Sequence, residues 1–418
     1  MKIVTVSHAY DQFLNFLYAT STRNLSECSF EEQRDAYYAT LFGHADFYTN
    51  ALRNLGNEVE DFVYNNVFAQ RAWRKEALTR AVVVNRHGGN GTGGPAETRL
   101  LLDRLPAAWL ARFIARLQDK RKVLAQTPLR YAKPLFGPLL SRIDQQGAFL
   151  FDVFLEQVKA EKPDVLYIQG MHIFDDAMLR ELKPHAGKIV GEHAATELRA
   201  SVEYRLYDLV VSSFPPTVEW LRARGVRAEL NKLAFDNRLP ALVPETRRDI
   251  PLSFIGSIFK VHSTRLDFLR AVGAEIDELK VYGNVTIKVP KGSPLVRKIL
   301  PAVWGREMYH VLRRSLVTLN HHGDVAPYAN NMRLYEATGM GALLITDYKD
   351  NLHEMFELEK EVVTYRSAEE CVDKARFYLN ERNRGAREAI MAAGRRRTLR
   401  EHTYESRMRR LIELLRQC

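Results

Sequence analysis

Short apolar runs alternate with longer helical patterns along most of the chain, and this alternation predicts the fold class. The runs are rich in β-branched residues and mostly apolar, which is typical of strands buried on both faces of a parallel sheet. Helical segments between such strands predict an α/β protein. The runs are Ile3–Ser7, Val59–Tyr64, Val165–Gln169, Ile189–Gly191 and Leu209–Ser212 in the first half, and Leu252–Ile255, Leu279–Tyr282, Leu316–Asn320, Ala342–Thr346 and Glu361–Thr364 in the second.

The two series of runs predict two Rossmann-like domains, an N-terminal domain over residues 1–238 and a C-terminal domain over residues 249–400. The stretch between them, residues 236–249, contains two prolines and many charges and has little periodicity. These features are typical of a linker between domains.

Two further segments modify this plan. Residues from about 30 to 152 have mostly helical patterns and are too long for a plain βαβ crossover, so they predict a helical insertion in the N-terminal domain. Residues 401–418 have helical periodicity, and a return of this helix to the N-terminal domain is one arrangement left open. Its periodic apolar residues are Tyr404, Met408, Leu411 and Leu415.

Composition adds limits on the class of protein. The chain has 418 residues and ordinary apolar content, which suits two domains that each bury a core. The three cysteines, Cys28, Cys371 and Cys418, lack pairing or metal-ligand spacing, which favours a reducing compartment and disfavours a zinc site. The apolar N-terminal run ends at Ser7 and His8 and predicts a first strand, not a signal peptide. We therefore expect a soluble, cytoplasmic protein without a membrane span.

The net charge of +10 points to an anionic partner, which could be a nucleic acid, a membrane surface or a small molecule. The basic residues concentrate in 112–142 and 395–416. Two interpretations stay open. These segments are either solvated helix faces or a surface for peripheral contact with an anionic membrane, at its inner face, or with a lipid-diphosphate acceptor. No nucleic-acid recognition module is visible, so nucleic acid is not expected as a partner.

Residues 330–347 predict a nucleotide-diphosphate site. They have the pattern of a loop, a short helix, a glycine turn and a buried strand, and the strand-like residues 315–321 precede them. Glu336 then lies on the helix of a strand–helix–strand unit, close to the strand ends where open α/β sheets bind ligands. A carboxylate can accept two hydrogen bonds from a ribose diol, and the preceding helix N-terminus offers free amides to a diphosphate.

Several motifs follow one another from about Asp164 to the end of the chain. They are Tyr207–Ser213 with Val218–Leu221 and Gly225-Val226; Leu252–Ser257 with Arg265; Asn320–Gly323 with Arg333, Glu336 and Gly339–Gly341; Ala375–Asn380; and Gly394–Arg397 with Glu401–Tyr404. In this order they resemble the two-domain nucleotide-sugar glycosyltransferases of the GT-B fold. More narrowly, they look like the CgeB-like branch of the group 1 glycosyltransferases.

The resemblance implies two Rossmann-like domains facing a cleft, with a donor sugar nucleotide in the second domain and an acceptor in the first. It implies no metal ion and no cofactor, and it favours retention of the anomeric configuration. One departure is visible. The group carries two glutamates with seven residues between them, and here Tyr328 stands where the first of them, which usually contacts the donor sugar, would be.

The donor-site candidates combine the matched motifs with the chemistry of each residue. A glycine after a strand lets the backbone approach a phosphate, and an arginine is a permanent planar cation suited to phosphate oxygens. Arg333 would bind the diphosphate or pair with Glu336, and both options stay open. Adjacent His321 and His322 face opposite sides of an extended segment, so at most one is expected to reach the ligand. The donor-binding candidates are Gly256, Ser257, Arg265, Tyr282, Gly283, Asn320, His321, Tyr328, Asn331, Arg333 and Glu336.

The catalytic candidates are His193, Glu192 and Arg265. By the resemblance, His193 at a strand end would contact the transferred sugar, while Glu192 offers a base and Arg265 would stabilise the departing diphosphate. His8 and Asp11 follow the first strand and are the acceptor-binding candidates. For the histidines, a structural role is the alternative.

Residues 87–95 form a glycine-dense run between a valine run and a helical pattern. The context resembles a phosphate-cradling loop, but the spacing of a dinucleotide-binding motif is absent. A mobile loop that orders over substrate is the preferred interpretation.

Three hypotheses for function follow. The first is a glycosyltransferase that moves a sugar from a nucleoside-diphosphate sugar to a glycan or lipid-linked acceptor, in bacterial-type surface polysaccharide or glycoconjugate synthesis. The second is a sugar-nucleotide epimerase of GT-B fold, which needs no acceptor. The third is a non-catalytic module that binds nucleotide sugars or glycans.

Overall fold

The computed structural model of the chain describes residues 1–43, 45–87, 133–194, 198–259, 263–322 and 327–417. The glycine-dense run after His87 and most of the basic segment 112–142 therefore lie outside the described residues.

Within the described residues, the strands form two sheets of six strands each. The strands are β1 (Lys2–Ser7), β2 (Glu58–Val63), β3 (Val165–Gln169), β4 (Lys188–His193), β5 (Leu209–Ser212), β6 (Ala228–Leu230), β7 (Ile250–Ile255), β8 (Leu279–Tyr282), β9 (Ile299–Leu300), β10 (Ser315–Asn320), β11 (Leu343–Asp347) and β12 (Val363–Tyr365). The first sheet has the order β2-β1-β3-β4-β5-β6 and the second has the order β12-β11-β10-β7-β8-β9. Both sheets are parallel, which confirms the predicted α/β class with two Rossmann-like sheets.

The helices connect these strands. They are α1 (Asp11–Thr20), α2 (Phe30–Ala39), α3 (Phe47–Asn54), α4 (Val67–His87), α5 (Lys133–Glu161), α6 (Asp176–Leu182), α7 (Pro215–Arg222), α8 (Leu239–Leu242), α9 (Ser263–Glu275), α10 (Gly305–Arg314), α11 (Arg333–Gly339), α12 (Ala368–Leu379), α13 (Arg384–Glu401) and α14 (Tyr404–Arg416). None of the helices in the described ranges is long and apolar enough to cross a membrane.

The chain divides into two compact units. One consists of Met1–Ala39 with Glu58–Val190, and the other of Thr40–Asn57 with Gly191–Cys418. The linker expected at 236–249 and the insertion expected at 30–152 stay predictions.

All ten apolar runs correspond to strands, but the sequence pattern missed β6 and β9. Both are very short strands at the edge of a sheet. β6 has the sequence Ala-Glu-Leu, and β9 pairs with β8 at only two positions. Neither has the continuous apolar run that marks a strand buried on both faces.

The second sheet has a polar row inside its buried centre. Leu252, Val317 and Leu343 lie side by side on β7, β10 and β11 and are fully buried. Next to them, Ser315 Oγ donates to Ser253 Oγ at 2.8 Å. Because buried hydroxyls need partners, such bonds favour the pairing of β7 with β10 at this register.

The last two helices belong to the second unit. The predicted periodic face of α14 is buried, including Tyr404 and Met408. Tyr404 packs edge-on against Tyr48 of α3, with ring centroids 4.8 Å apart. In α13, a Cβ on Gly394 would meet the carbonyl oxygen of Glu361 well inside van der Waals contact. Gly394 therefore lets α13 pack closely against the backbone of Glu361.

We expect Gly394→Ala to destabilise the protein by about 1–3 kcal/mol, because the added methyl group displaces either α13 or the Glu361 carbonyl. Gly385 lies in the same helix, and a Cβ at that position would meet nothing within 4 Å, so Gly385→Ala is the matched control. It should be neutral or slightly stabilising, since alanine favours the helix. Urea unfolding of the two variants measures the difference, and equal stabilities would contradict the packing role of Gly394.

His402, between α13 and α14, should make stability depend on pH. Its Nε2 lies 2.8 Å from the Met355 carbonyl oxygen, and its Nδ1 accepts from Arg407 at 2.9 Å. Burial lowers the pKa of His402 to about 4, with the charge of Arg407 acting in the same direction. The unfolded chain, with an ordinary histidine pKa of about 6.5, therefore binds a proton that the folded chain rejects.

His402 should therefore lower the free energy of unfolding by about 3 kcal/mol as the pH decreases from about 6.5 to about 4. Above about pH 6.5, its contribution to the free energy of unfolding should not change with pH. Urea unfolding of the unchanged protein and of His402→Gln at several pH values measures this contribution. The glutamine variant should show a flatter dependence, and an unchanged slope would exclude His402 as the source.

Candidate functional site

Most donor-site candidates lie where the strands of the second sheet end. β7, β8, β10 and β11 are parallel, so their carboxyl ends meet at one edge of the sheet. Asn320 at the end of β10 is level with Thr346 of β11, and Ile255 at the end of β7 is level with Tyr282 of β8. Open α/β sheets bind ligands at this edge.

The loops after β7 and β8 touch through their backbones. Gly256 N donates to the Tyr282 carbonyl oxygen at 2.9 Å. A Cβ on Gly283 would overlap the carbonyl group of Gly256, so only glycine permits this approach. Gly256 and Ser257 remain partly exposed at the edge. The two predicted glycines therefore fix the shape of one loop pair.

Arg265 of α9 joins two strand ends. Its Nη1 donates to the Ser257 carbonyl oxygen at 2.7 Å, and its Nη2 donates to the His321 carbonyl oxygen at 2.9 Å. The guanidinium also lies over the Phe254 ring, 5.6 Å from its centroid. The arginine predicted to bind diphosphate thus also holds the loops after β7 and β10 in place.

Asn320 is the centre of a buried polar network. Its Nδ2 donates to Thr346 Oγ1 at 3.0 Å, and its Oδ1 accepts from Asn331 Nδ2 at 2.9 Å. His322 makes two contacts with Asp347. Its Nδ1 lies 2.7 Å from Asp347 Oδ1, and its backbone N–H donates to the same oxygen at 3.0 Å. Burial alone raises the pKa of Asp347, but the bond and charge of His322 outweigh it and lower the pKa to about 2.

The two adjacent histidines face opposite directions, as the extended pattern predicts. His321 stacks on Phe268 with centroids 4.7 Å apart, and its Nδ1 lies 2.9 Å from the Tyr365 hydroxyl. Phe268 and Tyr365 belong to the hydrophobic core of the second sheet. His321 is thus part of the wall of that core, whereas His322 meets Asp347.

Glu336 of α11 is a buried carboxylate, with 7% of its surface exposed. Arg333 Nη1 lies 2.8 Å from Glu336 Oε2. Burial raises the pKa of Glu336, and the charge of Arg333 and a hydrogen bond with Tyr309 oppose this. Arg333 therefore pairs with Glu336, which was one of the two options for it. Its Nε is buried and has no hydrogen-bond partner among the described residues.

The candidates at the end of β4 lie near a buried tyrosine. Glu192 Oε1 accepts from the Tyr48 hydroxyl at 2.8 Å. Burial raises the pKa of Tyr404 well above its ordinary value, and the charges of Glu192 and Glu336 add to this effect. Both carboxylates therefore act on one hydroxyl. His193 has a buried side chain, and its backbone oxygen accepts from Ser212 Oγ at 2.9 Å.

Tyr328 is partly exposed and packs edge-on against Phe214, with centroids 5.9 Å apart. It presents a phenol where the resemblance expects a carboxylate.

The acceptor candidates lie in the first unit. The His8 ring is 5.7 Å from the ring of His172. Burial lowers the pKa of His8, and the charge of Asp11 opposes this. Asp11 begins α1, and its Oδ1 accepts from Asn65 Nδ2 at 2.9 Å. The structure therefore places His8 near Asp11, as expected from sequence, and adds His172 beside it.

Sequence reasoning assigned no role to several polar residues near the candidate sites. They are His172, Tyr309, Asp347 and Tyr404. Asp347 had a visible signal, since it is a carboxylate at the end of an apolar run. Tyr309 and Tyr404 had none, because tyrosines at helical spacing are typical of a core. Within the described ranges, no group of three His, Cys, Asp or Glu side chains is placed to hold a metal ion.

Comparison with known sequences identifies part of the chain. Residues 265–413 match a family model described as glycosyl transferase-like. This region contains Arg265, the network around Asn320, and the pair Arg333 and Glu336. No curated protein sequence matches the chain significantly.

Comparison with solved structures identifies the fold. Sucrose-phosphate synthase from Thermosynechococcus elongatus has a TM-score of 0.52 and 11% identity, over 100% of this chain and 98% of that chain. HepE of Anabaena in complex with UDP-glucose has a TM-score of 0.52 and 8% identity, over 100% of both chains. A glycosyltransferase from Rickettsia africae has a TM-score of 0.51 and 10% identity, over 100% and 98%.

These matches support the group 1 GT-B glycosyltransferases, while membership of the CgeB-like branch stays a prediction. The chain thus has the GT-B fold and carries a glycosyl transferase-like domain over residues 265–413, in agreement with the predicted class of enzyme, a glycosyltransferase.

Proposed function

We propose that the chain transfers a sugar from a nucleoside-diphosphate sugar to a glycan or lipid-linked acceptor, without a metal ion or cofactor. One observation carries the proposal. Glu336 is a buried carboxylate at the carboxyl edge of the second sheet, held by one cation and one hydroxyl. A buried charge is costly unless hydrogen-bond donors surround it, and a ribose diol supplies two.

The donor nucleotide would bind along this edge. Glu336 accepts the ribose hydroxyls, and Tyr282 with Gly283 faces the base. The HepE structure, which has the same fold, contains UDP-glucose, and this supports a nucleotide sugar as the donor. Asn320 and Asn331 lie next to the same helix start and extend the polar surface towards the sugar.

The diphosphate would lie between the loop after β7 and Arg333. The Nε of Arg333 has no hydrogen-bond partner in the described part of the chain, so a phosphate oxygen would satisfy it. The backbone of Gly256 and Ser257 offers the opposite wall, which Arg265 holds in place. Negative charge develops on the leaving diphosphate, and fixed donors at that position lower the barrier without reorganising.

For the acceptor, we propose that His8 and Asp11 contribute binding groups. Retention of configuration is the proposed outcome, supported by the resemblance to group 1 enzymes. Inversion would need a positioned base, and Glu192, His193 and Asp11 are the residues available for it. Glu192 already accepts a hydrogen bond from Tyr48, which fixes its carboxylate.

The proposed setting is synthesis of surface polysaccharide or glycoconjugate in the cytoplasm. For the basic C-terminal segment, the ion pairs favour the solvated-face interpretation over direct contact with a membrane. Arg397 and Arg400 pair with Glu401, and Arg409 pairs with Glu405. Such pairs reduce the charge available to an anionic surface.

Substitution Glu336→Gln should weaken nucleoside-diphosphate binding about 10-fold to 100-fold, because an amide replaces a charged acceptor of two hydroxyl bonds. Isothermal titration with UDP, GDP, CDP and TDP measures the effect. Glu413→Gln, at an exposed position of α14, is the matched control and should bind as the unchanged protein does. Equal affinity of the Glu336 variant would remove this residue from the site.

Activity is tested with sugar nucleotides in the presence and absence of acceptor glycans. A transferase releases the nucleoside diphosphate with an acceptor present and forms a glycoside. Interconversion of the sugar without an acceptor would instead identify an epimerase.

Substitution Gly283→Ala should weaken nucleoside-diphosphate binding about tenfold or more, since the new Cβ forces the Gly256 carbonyl away and reshapes the phosphate loop. Gly292→Ala is the control, because nothing lies within 4 Å of a Cβ at that position. Titration of both variants together with their thermal unfolding separates loop geometry from global stability. Unimpaired binding by the Gly283 variant would contradict a phosphate site at this loop.

A further inference from the structure

Besides Arg333 Nε, two buried polar atoms on neutral or titratable side chains at the donor edge have no hydrogen-bond partner among the described residues. They are Nε2 of His322 and Oδ1 of Asn331. His322 has only 4% of its surface exposed, so water does not replace the missing partner readily. A buried polar atom without a partner destabilises the protein, and both atoms belong to a region where a ligand is expected.

The orientation of His322 is set by the protein. Its Nδ1 lies 2.7 Å from Asp347 Oδ1, and this carboxylate also accepts the backbone N–H of His322. Asp347 itself is held in place, since Lys349 Nζ lies 3.4 Å from its other oxygen. With Nδ1–H donated to Asp347, Nε2 is the ring nitrogen left for a ligand, as an acceptor in the neutral ring and as an N–H donor in the charged ring.

The two atoms belong to one network. Asn331 Nδ2 donates to Asn320 Oδ1 at 2.9 Å, which leaves Asn331 Oδ1 without a partner among the described residues. Asn320 Nδ2 in turn lies 3.4 Å from His322 Nδ1 and donates to Thr346. Asn320 therefore contacts both side chains, Asn331 through a hydrogen bond and His322 at 3.4 Å.

The chemistry of these atoms restricts the ligand. An amide oxygen only accepts hydrogen bonds, whereas Nε2 of His322 accepts in the neutral ring and donates in the charged ring. Phosphate oxygens carry no donor and cannot satisfy Asn331 Oδ1. A hydroxyl group can, and it can also accept from Nε2 if the imidazole is protonated. The pair therefore selects a polyol portion of the donor, whereas Arg333 and the loop after β7 suit its phosphates.

We propose that His322 and Asn331 bind hydroxyls of the transferred sugar, with Asp347 as a positioning residue that acts through His322. The inference rests on the proposed donor site and deepens it. Glu336 is already assigned to the ribose, so the second set of acceptors serves the second polyol of the donor, the sugar. The specificity for the donor sugar would then depend partly on His322, Asn331 and Asp347.

The test uses two substitutions at one position. His322→Asn keeps a side-chain N–H at the position of Nδ1, which preserves the bond with Asp347, and deletes the group at Nε2. His322→Gln keeps a polar group at the position of Nε2. The probes are UDP, GDP, CDP and TDP and their hexose conjugates, titrated into the whole protein, and thermal unfolding monitors the fold.

We expect His322→Asn to weaken binding of the hexose conjugate about tenfold and of the free nucleoside diphosphate less than about twofold. A tenfold change corresponds to about 1.4 kcal/mol. His322→Gln should recover most of the loss, and Asn331→Ala should show the same selectivity as His322→Asn. His353→Asn, the same change at an exposed histidine, should bind both ligands normally.

Equal loss for the conjugate and the free diphosphate would place the contact on the nucleotide and overturn the proposal. Normal binding of both by His322→Asn would make His322 purely structural and overturn it as well. The proposed function fails separately: the unchanged protein would then bind none of the probes, or Glu336→Gln would leave their affinity unaltered.

Discussion

Two carboxylates, Glu336 and Asp347, are buried at the carboxyl edge of the second sheet, and the site depends on how their charge is compensated. Asp347 receives a side-chain and a backbone bond from His322, and its pKa falls to about 2 despite burial. Glu336 has Arg333 and Tyr309, yet burial dominates and its pKa is raised. The charge of Asp347 is thus compensated within the protein, whereas further hydrogen-bond donors would stabilise the charge of Glu336. This difference separates the residue that builds the edge from the one assigned to the ligand.

The fold makes this arrangement possible because parallel strands end at the same edge. The polar row of Ser253 and Ser315 fixes β7 against β10, and Arg265 then joins the loops that follow these strands. Gly283 permits the loop after β8 to touch the loop after β7. Each loop contact uses a backbone group, so a site can keep its shape when the side chains around it differ. Structures with only 8–11% identity to this chain share its fold.

The proposed donor site offers both hydrogen-bond donors and acceptors, as a nucleotide sugar requires. Arg333 offers an N–H without a partner among the described residues, while Glu336 and Asn331 offer acceptors. A diphosphate needs donors, and a ribose or hexose supplies hydroxyl donors of its own. In the proposed site, the polarity of these side chains would therefore orient the parts of a nucleotide sugar.

The sequence by itself determined the strands, because apolar runs such as Val165–Gln169 and Leu343–Thr346 are stable only between two covered faces. It also determined Glu336 as a site candidate, since the loop, short helix, glycine turn and strand around it are visible in the pattern. It missed β6 and β9, whose pairing at a sheet edge needs little apolar sequence. Only the tertiary structure decided which of two adjacent histidines stacks in the core and which meets Asp347. The same applies to the carbonyl partners of Arg265, which belong to segments 8 and 56 residues away along the chain. Local sequence specifies the type of element and the chemistry of each side chain. The partners of a buried charge are set by packing between distant segments, and that information is not contained in any local pattern.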